Sequence, residues 1–154
     1  MKKVLGTIGV VVAIALLTGM ASLATAASAL IVPHDPPGQL LVLDIGESYT
    51  FTIEIESDEP FILAMAMPDV YYPGRAIEFR GNDIAHQDES ALLQLTMTGK
   101  GSTADFEQVC GWPEPETKCW PEGTVPVSIV VGVRYRANEV VMERFDFAVK
   151  VPRD

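Results

Sequence analysis

Cys110 and Cys119 are the two cysteines of the chain, and Trp112, Pro113, Pro115, Trp120 and Pro121 lie between or beside them. In an exported chain an isolated pair at this spacing most often closes a disulfide. A ten-residue covalent loop would stabilise the fold by about 2.5–3 kcal/mol through chain entropy. A redox motif would need C-x-x-C and haem attachment C-x-x-C-H, and neither occurs. Two tryptophans held by prolines in a closed loop give rigid aromatic surface at low entropic cost, so Trp112 and Trp120 are candidate partner-binding residues. The plainer alternative is that both fold back and cap an open end of the strands.

The other reactive side chains do not assemble into a known chemistry. A serine hydrolase needs a nucleophile, a histidine base and an orienting acid. Only His34 and His86 are present, and no serine lies in G-x-S-x-G. Gly99-Lys100-Gly101-Ser102-Thr103 lacks the upstream glycine and following helix of a phosphate loop and reads as a turn. Glu54 and Glu56 fall on the solvent side of a strand, where nothing would separate their pKa values for acid–base work. No histidine follows Cys110 closely enough for a blue-copper site. Met65, Met67 and Met97 have the spacing of strand interiors and read as packing. Gly81–Ser90 gathers Asn82, Asp83, His86, Asp88 and Glu89. Gathered oxygen donors first read as a solvated acidic loop, so no cofactor is expected; the alternative is a hard cation, calcium, with Asp83, Asp88 and Glu89 as its candidate ligands. No enzyme is expected.

These residues depend on strands for their positions. In Ser48–Glu56, Tyr49, Phe51, Ile53 and Ile55 alternate with Thr50, Thr52, Glu54 and Glu56. That period of two predicts a half-buried antiparallel strand, ended by Ser57-Asp58-Glu59-Pro60. Phe61–Met67 is apolar on both faces, which predicts a strand that is central or covered on both sides. Pro68–Gly74 and Gly81–Ser90 read as loops, Ala76–Arg80, Ala91–Thr98 and Thr103–Val109 as strands. Val125–Tyr135 and Val140–Val151, joined by Ala137-Asn138-Glu139, carry the longest alternation. About eight strands without a helix after the leader predict an all-β sandwich or barrel, the sandwich being favoured because two faces must close on one core.

Gly46–Ile55, the strand after it, Pro73-Gly74, and Pro121-Glu122-Gly123-Thr124 ahead of a Val-rich hairpin together resemble the immunoglobulin-like modules of microbial cell-surface and secreted proteins. The resemblance implies an antiparallel β-sandwich of about seven or eight strands and a surface role. It departs from antibody domains, because Cys110 and Cys119 are too close in sequence to link two sheets, and it transfers no functional residues.

Lys2 and Lys3 precede the apolar run Val4–Leu17, and no further charge appears before Asp35. Small residues follow, with Ala24-Thr25-Ala26 and Ala27-Ser28-Ala29 each offering an A-x-A site. Residues 1–29 therefore read as a secretory signal. The rival is an uncleaved anchor, since Val4–Ala24 could span a bilayer of about 30 Å. Both place the folded part outside the cytoplasm, at the surface or beyond it. Residues 30–38 form a short strand on a Pro-rich linker, and 39–154 the domain. Leu30, Ile31 and Val32 could pair with a sheet edge of their own chain or of a neighbour, the head-to-tail mode that builds filaments. A stalk or processed terminus is the alternative.

Without Lys2 and Lys3, nine basic residues face 21 acidic ones, a net charge of −12. Such a chain is a poor partner for nucleic acid, and would meet a membrane only through an uncleaved leader. Its expected partners are copies of itself or another envelope protein. The sequence thus predicts a non-catalytic cell-surface structural or adhesive subunit, filament-forming through its N-terminal strand. A monomeric extracytoplasmic module binding calcium or another ligand is the alternative.

Overall fold

A computed structural model describes residues 26–71, 76–81, 84–114 and 117–153. The leader ahead of them lies outside the described residues. All regular structure among these residues is strand: β1 (Ala29–His34), β2 (Leu40–Val42), β3 (Ser48–Val70), β4 (Ile77–Arg80), β5 (Ile84–Gly99), β6 (Val109–Cys110), β7 (Cys119–Trp120), β8 (Val125–Arg134) and β9 (Val140–Lys150). Seven strands form one mixed sheet, in the order β2-β9-β8-β3-β5-β4 with β1 joined to β3. Only β2 and β9 pair in parallel among them. β6 and β7 make a separate two-stranded ladder.

β3 is the spine, and its first half follows the alternation of its sequence. Phe51, Ile53 and Ile55 are fully buried. The strand does not stop at Ser57–Pro60, as its turn chemistry predicts, but runs on to Val70. Between the cross-strand pairs Glu56–Ser90 and Phe61–Asp88, four β3 residues stand against one of β5. Pro60 has no N–H to give a ladder, and a bulge absorbs it without ending the strand. Beyond the bulge Ala64 and Ala66 point inward, while Leu63 and Met65 are half-buried and Met67 is exposed. This half is central, between β5 and β8, which is one of the two outcomes its apolar pattern allows, and its outer face stays partly open.

β8 and β9 form the predicted hairpin. Val125, Val127, Ile129, Val131, Val133 and Tyr135 are all buried, and so are Phe147, Val149 and Val151. Phe51 of β3 meets Phe145 and Phe147 of β9 at ring separations of 5.9 and 6.1 Å, although the two strands are not neighbours in the sheet. β3 and β9 thus share one core, although they do not pair.

Three segments depart from their sequence reading. Pro68–Val70 belongs to β3, and β5 begins at Ile84, inside the expected acidic loop. Thr103–Val109 is mostly irregular, pinned by the buried Thr103 hydroxyl, which donates to the Gly123 carbonyl at 2.6 Å and accepts from Val151 N–H at 3.0 Å. Among the described residues no helix is long and apolar enough to cross a membrane.

Candidate functional site

The N-terminal segment pairs with its own chain's sheet, one of the two options its sequence leaves open. β1 lies antiparallel on β3, with Leu30 opposite Glu56, Ile31 opposite Ile55 and Val32 opposite Glu54. Alternation sends Ile31 into the core and leaves Leu30 and Val32 exposed. Ile31 is therefore the anchor, and the other two offer apolar surface on the outer face. Both ends of β1 carry polar clasps. Ser28 donates its N–H and hydroxyl to the Asp58 carboxylate at 2.8 and 2.9 Å. The Ser28 carbonyl accepts from the hydroxyls of Ser57 and Tyr135, each at 3.2 Å. At the other end the His34 ring and the Glu54 carboxylate meet at 2.7 Å.

β1 leads into a sharp reversal. Asp35 has φ 45° and Gly38 φ 65°. Glycine adopts that conformation freely, whereas Asp35 stands directly before Pro36, whose ring drives the preceding residue toward extended backbone. The Tyr49 hydroxyl donates to the Asp35 carbonyl and holds the reversal closed. Burial first, and then the Asp35 charge, pushes the Tyr49 phenol above its ordinary pKa, which keeps it a donor.

Cys110 and Cys119 are bonded, as expected. The loop they close lies against β9. Trp120 is buried with Val109 and Ala148, and its indole N–H donates to the Trp112 carbonyl at 2.7 Å. Lys118 Nζ sits 4.0 Å from the centre of the Trp120 ring. Trp120 has no surface to offer a partner, because it packs as a small core of its own. Trp112 is half-buried and meets Tyr71 edge-on at 5.9 Å, so it is the tryptophan that remains available.

Of the candidate cation ligands, Asp83 lies outside the described residues. Asp88 and Glu89 are exposed neighbours on β5, and adjacent strand positions point to opposite faces. Among the described residues no group of three or more His, Cys, Asp or Glu side chains could hold a metal ion. Ser28, Asp58, Tyr135 and the His34–Glu54 pair escaped the sequence reading, since partners 20 to 107 residues apart leave no local signal.

No protein family's sequence profile matches the chain, and no curated protein matches it. One chain of a solved structure, from work on T-cell specificity and activation by the bacterial superantigen toxic shock syndrome toxin-1, aligns over 80% of this chain and 99% of its own. It is 12% identical, with a TM-score of 0.35; a likeness so low carries no argument.

Proposed function

We propose that this is an exported, non-catalytic structural or adhesive subunit of the cell surface, folded as an immunoglobulin-like β-sandwich, whose copies join by exchanging β1. The observation that carries the reading is the hinge. Moving β1 from its own β3 to the β3 of a second copy keeps every β1–β3 contact and rearranges only residues 35–38. In that rearrangement Asp35 returns to the extended form a residue before proline prefers. Left-handed backbone at such a position costs on the order of 1–2 kcal/mol, so opening is favoured at the hinge. The core that β3 and β9 share without pairing supports a sandwich, and the Cys110–Cys119 bond fits an oxidising, extracytoplasmic compartment.

Purification from the cell envelope without denaturant, followed by native sizing, tests the reading. A ladder or filament of the protein is expected, reduced to monomers when Leu30–Val32 are deleted. A native monomer would contradict it.

Trp112 and Tyr71 favour a second reading, a monomeric binding module presenting that aromatic pair. A monomeric native size would support it, and a calcium-dependent rise in melting temperature would make its ligand a cation.

A further inference from the structure

The sequence offers two exits from the leader, after Ala26 and after Ala29, and the fold uses the three residues between them. Ala27 N–H donates to Glu139 Oε2 at 3.1 Å, reaching the turn between β8 and β9. Ser28 supplies the Asp58 clasp, and its carbonyl also accepts from Asp58 N–H at 3.3 Å. Ala29 opens β1 opposite Ser57 and packs against the core. A cut after Ala29 would discard all of these contacts and leave Asp58 and Glu139 without them.

We infer that the leader is cut between Ala26 and Ala27, and that Glu139 holds the α-ammonium group so created. This rests on reading the leader as a cleaved signal. Ala24 and Ala26 then occupy the small-residue positions that an export peptidase requires. Hydrolysis consumes one water, leaves a carboxylate on Ala26 of the released leader, and leaves an amine on Ala27. That amine is protonated at neutral pH. The nitrogen already beside the Glu139 carboxylate thereby becomes a cation, and a neutral hydrogen bond becomes a charge-assisted one. Processing tightens the attachment of β1.

The test is export of the full chain from an expressing bacterial cell, with intact-mass and N-terminal analysis of the product. A start at Ala27 is expected. A start at Leu30, or at any other internal residue, overturns the assignment while leaving export intact. A start at Met1 in the membrane fraction overturns the cleaved signal itself, and the assignment with it. Melting curves then test Glu139. Glu139→Gln should lower the melting temperature of the Ala27-start protein by about 1–3 °C, and leave that of a chain starting at Leu30 unchanged. Equal effects in both chains would overturn the ammonium–Glu139 contact.

Discussion

Asp58 and Ser28 show how a few exposed atoms can govern a whole strand. The Ser28 backbone N–H, and then its hydroxyl, hold the Asp58 carboxyl below its ordinary range. A carboxyl lowered in the folded state contributes stability that is complete above its unfolded value of about 4 and is lost as pH falls through the folded one. Acid should therefore loosen β1. Thermal melts across the acid range should fall more steeply for the native protein than for Asp58→Asn, which has no such proton to gain. Gly99 is constrained differently. A Cβ there would lie 2.6 Å from the Asp44 carbonyl oxygen, in a turn that bonds Gly99 through the Gly46 N–H at 2.8 Å. Gly99→Ala should cost about 1–3 kcal/mol in urea unfolding. The sequence marks Gly99 as turn-like but hides that contact, because its partner lies far back along the chain.

At the scale of elements, the legible strands were those with an uninterrupted period of two. Val125–Tyr135 and the first half of β3 folded as their alternation predicts, since each apolar side chain had one face to occupy. Ser57-Asp58-Glu59-Pro60 misled because a bulge and a turn use the same residues; whether a strand resumes afterwards is decided by its distant partners, here β5 and β8. Ile84–Ser90 misled for a related reason, since backbone pairing with β3 orders a segment whose side chains stay in water. The disulfide was legible from spacing and compartment, but the fate of its tryptophans was not. Replacing Cys110 and Cys119 together with serine should lower stability by about 2.5–3 kcal/mol, measured by denaturant unfolding. Trp120→Phe should cost about 1 kcal/mol, because the Trp112 carbonyl loses its donor.

At the scale of the whole molecule, charge would oppose the proposed joining of copies. Cleavage of the proposed leader with Lys2 and Lys3 would leave a net charge of −12, which would repel copies. Salt shortens that repulsion to about 8–10 Å at physiological strength, so joining should speed up as ionic strength rises, read by light scattering over time. The all-β class and its many strands were largely present in the sequence. The proposed exchange has only an apolar triplet before prolines as its sequence signal, because a strand docked in its own sheet and one docked in a neighbour's have the same residues. The most direct measurement mixes two variants that each add one cysteine to the bonded Cys110–Cys119 pair, Val32→Cys and Glu54→Cys, which are cross-strand partners, and asks for a disulfide between copies under mild oxidation. Exchange of β1 predicts that bond in the mixture. If the chain carrying both substitutions closes its own disulfide while the mixture yields no bond between copies, β1 stays at home and the central claim fails.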